Sequence, residues 1–132
     1  FLYLAAQFSG AILGVLIAHV MFDQSIFQIS VKERVGLPLA VSEFIATFGL
    51  ICTIALAGRK HVDFAPMSIA AYITSAYWFT SSTSFANPAV TLARTFTNTF
   101  CGIAPSGLGV FVIAQAIGAM SAFILLRKLE ER

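Results

Sequence analysis

Apolar residues run through this chain in long blocks that charge interrupts at only a few places. Residues 1–22 carry no charged side chain, and Asp23, Lys32, Glu33 and Arg34 then mark a polar connection. Residues 35–58 hold a single acid, Glu43, and the block closes on Arg59, Lys60, His61 and Asp63. Charge is absent again over 64–93 and 95–126, before the tail Arg127-Lys128-Leu129-Glu130-Glu131-Arg132. A helix needs about 20 mostly apolar residues to cross a hydrocarbon core of roughly 30 Å. The blocks 1–22, 37–58 and 105–126 have that length, and each predicts a transmembrane helix.

The block from 64 to 104 is too long for one span and too short for two. It contains the polar run Thr80-Ser81-Ser82-Thr83-Ser84, followed by Asn87-Pro88. Irregular backbone cannot face lipid, because its N–H and C=O groups would go unpaired. The break must therefore line a cavity or pack inside protein. The pattern predicts a span over 64–82, a break at 83–87 and a short helix over 88–98. Pro88 suits the first helical position and Asn87 the cap before it. Such a helix reaches about 15 Å, half a bilayer, which is the size of a re-entrant half-helix.

Composition agrees with a membrane class. The 132 residues are 58% hydrophobic and 11% charged, where a soluble domain carries nearer a quarter charged. Mean hydropathy is +0.88. A net charge of +2 offers no broad basic surface for nucleic acid. Cys52 and Cys101 stand alone in apolar surroundings, with no CxxC or His/Cys cluster to suggest a metal or a disulfide framework. No nucleophile–base pair, phosphate loop or cofactor motif points to an enzyme. The opening Phe1-Leu2-Tyr3, with no initiator Met and no basic segment, reads as a chain cut before its first span rather than as a signal peptide.

Basic residues give an orientation. With this span order the loop 59–63 and the tail share one side, which holds Arg59, Lys60, Arg127, Lys128 and Arg132. Short cytoplasmic loops collect Lys and Arg, so that side, and the C-terminus with it, is expected to be cytoplasmic. A faint internal repeat, Ala6-Gln7-Phe8-Ser9-Gly10-Ala11 against Ala114-Gln115-Ala116-Ile117-Gly118-Ala119, fits a protein built from repeated halves.

The segment Asn87-Pro88-Ala89-Val90-Thr91-Leu92-Ala93 resembles the pore motif of the aquaporins, or major intrinsic proteins. Leu39-Ala40-Val41-Ser42-Glu43-Phe44-Ile45-Ala46-Thr47-Phe48 is similar to that family's fourth span, and Tyr3-Leu4-Ala5-Ala6-Gln7-Phe8-Ser9-Gly10-Ala11 to its third. The resemblance implies an all-α polytopic membrane bundle. It has four transmembrane spans plus one re-entrant half-helix, the second half of an inverted-repeat fold. Residues 1–132 would then form a single, incomplete channel domain without the first Asn-Pro-Ala loop. Assignment to the first half would place Arg59-Lys60-His61 outside, against the charge bias.

The same resemblance implies a passive channel for small neutral solutes in a cell membrane, assembled as a homo-tetramer and needing no cofactor. Asn87, Pro88 and Ala89 form the pore motif, and Glu43 anchors the re-entrant loop. Water-selective members place an arginine three residues after the motif Asn, where this chain has Val90. The other filter places fall on Ser75 and Ser84. That set is wider and poorer in donors, which turns the expectation from water alone toward glycerol-like polyols or metalloid hydroxides. Arg94, one turn beyond Val90, either lines the outer mouth or snorkels to the interface. Rival readings are an ion-coupled transporter with a broken helix and a non-conducting remnant. His19 and His61 read as interface residues, and Tyr77 and Trp78 as packing or belt aromatics.

Overall fold

The computed structural model describes residues 1–60 and 62–131, so His61 and Arg132 lie outside the described residues. Five helices follow one another: α1 (Leu2–Met21), α2 (Leu37–Lys60), α3 (Ala65–Phe79), α4 (Pro88–Ala93) and α5 (Pro105–Glu130). Short 3-10 turns precede α3 at Val62–Phe64 and follow α4 at Arg94–Phe96. No strand occurs among the described residues. The chain is an all-α membrane bundle in which α1, α2 and α5 are long and apolar enough to cross a membrane. Their outward faces carry bare apolar side chains, among them Leu13, Ile17 and Val20 on α1 and Ile113, Ile117 and Phe123 on α5. Lipid tails are as apolar as Leu, so such faces need no protein cover.

Three helix ends differ from the sequence expectation. α3 has 15 residues rather than the expected 64–82, and reaches only about 22 Å. Thr80 ends it by turning extended (φ −103°, ψ 142°), while its own hydroxyl donates to Ala76 O at 2.7 Å. The half-helix is α-helical over Pro88–Ala93 alone, and its 3-10 continuation stops at Phe96 instead of 98. There Thr95 Oγ1 donates back to Leu92 O at 2.7 Å and Thr97 turns extended, so the last turn tightens and ends. α5 runs past 126 to Glu130, into what reads as a solvated tail. Arg127 pairs with Glu131 along this last turn at 3.5 Å, and Glu130 pairs across to Arg59 at the end of α2.

α2 and α5 run parallel and share the central seam. Gly107 lies against Arg34 O, Gln115 reaches Glu43, Gly118 lies against Phe44 and Glu130 meets Arg59, in matching order along both chains. A Cβ on Gly118 would stand 2.5 Å from Phe44 O, so glycine is what lets the two backbones come this close. Ala46 and Ala122 are fully buried. α3 is tied to α2 by Tyr72, whose hydroxyl lies over Gly49 and donates to Ala46 O at 3.0 Å.

The connection 22–36 crosses the segment that follows α4 and is bonded to it repeatedly. Ser30 N donates to Thr95 O at 2.8 Å, Asn98 N to Gln28 Oε1 at 3.0 Å, and Ala104 N to Lys32 O at 2.7 Å. Together these bonds fix the broken-helix region against the end of α1.

Candidate functional site

The site begins with one buried acid. Glu43 lies on the inner face of α2 with no exposed surface. Its Oε1 accepts from Ser82 Oγ at 2.5 Å and Phe85 N at 2.9 Å. Its Oε2 accepts from Ala86 N at 2.9 Å and Gln115 Nε2 at 2.6 Å. Gln115 Nε2 also donates to Thr91 Oγ1 at 2.9 Å, so the carboxylate is linked to the loop, to α4 and to α5 at once. A charge in the bilayer interior is tolerated where such partners meet it.

These bonds hold a backbone that would not keep its shape alone. Thr83, Ser84 and Ala86 have positive φ of 64°, 49° and 48°. Non-glycine residues rarely adopt that region, least of all a β-branched one, and each costs on the order of 1–3 kcal/mol. Arg34 braces the same turn from the other side. Its Nη1 donates to Ser82 O at 2.8 Å and Thr83 Oγ1 at 3.1 Å, and its Nη2 to Phe100 O at 3.3 Å. Burial lowers the Arg34 pKa from its usual value, and the like charge of Arg94 adds to this against the pull of Cys101, Glu43 and Tyr77.

The loop delivers Asn87 to the start of α4. Asn87 is extended (φ −158°, ψ 124°), and its Oδ1 accepts from Ala89 N at 2.8 Å, capping the helix. Its Nδ2 donates to Gln7 Oε1 on α1 at 3.1 Å, which leaves a second amide proton. Pro88 takes the first helical position and Ala89 is buried beneath it. Val90 packs on the cluster of Phe85, Ile103 and Phe111.

Three cavities surround α4. One of about 310 Å³ is bordered by Ser84, Asn87, Val90 and Arg94, with Tyr77 and Cys101. A second, about 220 Å³, lies between Val90 and Arg94 and the Ala11–Gly14 face of α1. The largest, about 450 Å³, is bordered by His19, Gln24, Arg94, Thr97, Thr99 and Cys101, away from Asn87. Arg94 alone of the expected site residues borders all three. The structure brings Ser84, Val90 and Arg94 together beside Asn87. It does not bring Ser75 to them: that residue is on an exposed face of α3, its hydroxyl donates to Ala71 O at 2.8 Å, and it borders none of these cavities.

His19 also departs from expectation. It is no interface residue but buried, 3% exposed, with Nδ1 2.8 Å from Ile26 O and Nε2 2.8 Å from Thr97 Oγ1. The carbonyl at Nδ1 requires a proton there, so the ring joins the 22–36 connection to the strand of chain behind α4. Other contributors that the sequence reading missed are Gln7, Gln115 and Arg34. The signal for the glutamines was present in the repeat, since Gln7 and Gln115 occupy matching places and both reach the broken loop region. Each is a lone amide in an uncharged span, and an amide at that depth needs a partner.

Over 125 residues the chain is 52% identical to aquaglyceroporin AqpS of Rhizobium meliloti (strain 1021). The likeness to that aquaglyceroporin runs along nearly the whole of this chain. The match takes in 95% of this chain and 54% of the relative, so the chain spans about half the length of the curated relative it matches. No family model matches the chain, and no solved structure does.

Proposed function

We propose that the protein is a passive membrane channel for small neutral solutes, with residues 1–132 contributing a single channel domain. The reading is carried by the 310 Å³ cavity in which the capped Asn87 meets Ser84 and Val90. One Asn87 amide proton is free to donate to a passing oxygen, and α4 points its positive end toward the same place. Val90 offers a wall with no donor where water-selective relatives carry an arginine. Such a lining suits hydroxyl-bearing neutral solutes: water, glycerol-like polyols or metalloid hydroxides. The relative's name, an aquaglyceroporin, supports the same class.

Within this reading Asn87, Pro88 and Ala89 are the pore motif, Ser84 and Val90 line the constriction, and Arg94 lies at its mouth. Glu43 is the loop anchor, since its carboxylate accepts two backbone N–H bonds from the strained turn. The full protein is an integral multi-pass protein, tetrameric, with its C-terminus on the cytoplasmic side. Stopped-flow swelling of proteoliposomes bearing full-length protein tests the function. Glycerol entry above empty vesicles and indifferent to ion gradients is expected. Entry that needs a sodium or proton gradient would establish a coupled transporter instead.

A further inference from the structure

Two guanidinium groups share one aromatic ring at this site. Arg34 Cζ lies 5.5 Å from the centre of the Phe85 ring and Arg94 Cζ lies 6.0 Å from it. Neither arginine is in an ion pair among the described residues, whose ion pairs lie at the far end of α2 and α5. Glu43 is fully buried and bonded to four donors, and Glu33 is exposed and next in the chain to Lys32. Glu43 attracts Arg34 from a distance, but among the described residues no carboxylate forms an ion pair with either guanidinium.

The two arginines differ in what they do for the fold. Arg34 bonds Ser82 O, Thr83 Oγ1 and Phe100 O, which is enough to brace the loop. Besides the Phe85 ring, the Arg94 side chain has one hydrogen-bond partner among the described residues, Cys101 Sγ, and it borders all three cavities around α4. Thr83 and Phe85, which Arg34 touches, border the cavity of Asn87 and Val90 as well. Two like charges held beside one ring repel each other, and among the described residues no ion pair offsets that repulsion. A cleft lined by one sign of charge between apolar walls focuses that field.

We propose that Arg94, paired with Arg34 across Phe85, is the cation-excluding element of this pathway, set one helical turn beyond the constriction at Val90. The proposal rests on the channel reading above. The Arg94 backbone follows that of Val90 by four residues, and its side chain borders both of the cavities that Val90 borders, so a cation entering either one meets the charge. Arg94 is a specificity determinant, and Arg34 supplies the second charge while holding the turn that carries Phe85.

Cys101 gives a direct probe, because its thiol borders the same cavities as Arg94. Full-length protein in which every cysteine but Cys101 is replaced by alanine is reacted in proteoliposomes with an anionic sulfonatoethyl and a cationic trimethylammonioethyl methanethiosulfonate. Both reagents attack through the same thiolate, so the ratio of their rates, each divided by its rate with a small free thiol in solution, reads the local potential. We expect the anionic reagent to be favoured by about tenfold or more, as potentials of several kT imply, and the preference to shrink as salt rises. Arg94→Gln should bring the ratio near one and raise the sodium-to-glycerol permeability ratio about tenfold, while Arg94→Lys should keep both near wild type. A wild-type rate ratio near one overturns the proposal, and needs no variant to fold. So does a folded Arg94→Gln protein that still excludes sodium. Failure of the channel reading looks different: no glycerol entry in the wild type, whatever the rate ratio.

Discussion

Replacing Glu43 by Leu removes the acceptor for four donors in a place without water. Ser82 Oγ can rotate to another partner, and the Gln115 amide keeps Thr91 Oγ1. The N–H groups of Phe85 and Ala86 cannot turn away, because the backbone around them is fixed by the φ values of Ser84 and Ala86. Each buried donor left unpaired costs about 1–3 kcal/mol, so the two together cost about 2–6 kcal/mol. The strained turn at Thr83, Ser84 and Ala86 then has less to hold it. Against a total stability of roughly 5–15 kcal/mol, such a loss leaves little folded channel. Glu43→Gln keeps one carbonyl acceptor and should lose about half as much. Thermal unfolding of full-length protein in detergent, read by size-exclusion fluorescence, gives the stability order. Swelling rates per unit of inserted protein give the function. The expected order is wild type, then Gln, then Leu, in both. A Glu43→Leu protein with wild-type melting and flux would refute the anchor reasoning.

Other outcomes follow from the same geometry. Gly118→Leu should destabilise the bundle by several kcal/mol in the same melting assay, since even a Cβ would meet Phe44 O at 2.5 Å; the backbone there cannot yield as a side chain tip would. A cysteine label at Ser25, on the exposed connection after α1, should react from outside only, and one at the exposed Lys128 from the cytoplasm only. The reverse pattern would overturn the orientation. Val90→Arg in the full protein should cut glycerol flux much more than water flux in paired swelling assays; unchanged glycerol flux in folded protein would remove Val90 from the constriction.

How much of this was legible in the sequence depended on the kind of signal. Bilayer thickness fixes helix length, so the uncharged blocks gave α1, α2 and α5 within a few residues. The end of α3 was less legible because Thr and Ser are tolerated in membrane helices. Only the extended backbone at Thr80, with its hydroxyl folded back to Ala76 O, decides that the helix stops there. The α5 terminus was misplaced for the opposite reason: charge reads as a tail, yet Arg127 and Glu131 lie one turn apart and pair on a continuing helix. At the site, Asn87 and Glu43 stood out as polar groups in apolar blocks. Counting along the chain reached Ser84 and Val90, which lie beside Asn87 in the loop and α4. It also named Ser75, which lies on an exposed face of α3 and borders none of the cavities around α4; its direction depends on how α3 is rotated against α2, a matter set by Tyr72 over Gly49. His19 was read from its place near a span end, whereas its burial comes from the 22–36 connection folding back over it.

The position of Arg94 separates two jobs that one side chain can otherwise combine. An arginine at the place of Val90 would both fill the passage and charge it, because its guanidinium would stand in the constriction. Moved one turn on, the guanidinium borders the cavities while Val90 keeps the wall smooth and free of donors. On the proposed reading width is set by Val90 and Ser84, and charge by Arg94 with Arg34. The two properties should respond to different substitutions: solute size cutoff to position 90, cation leak to position 94. The packing makes this division workable. Phe85 is held from below by Phe111, with ring centres 5.3 Å apart, and it offers its ring to both guanidinium groups. Its backbone N–H is in turn fixed by Glu43. The buried acid thus sets where the charges stand, and loss of Glu43 should relax size selection and cation exclusion together, where an uncharged substitution at 90 or a change at 94 affects one.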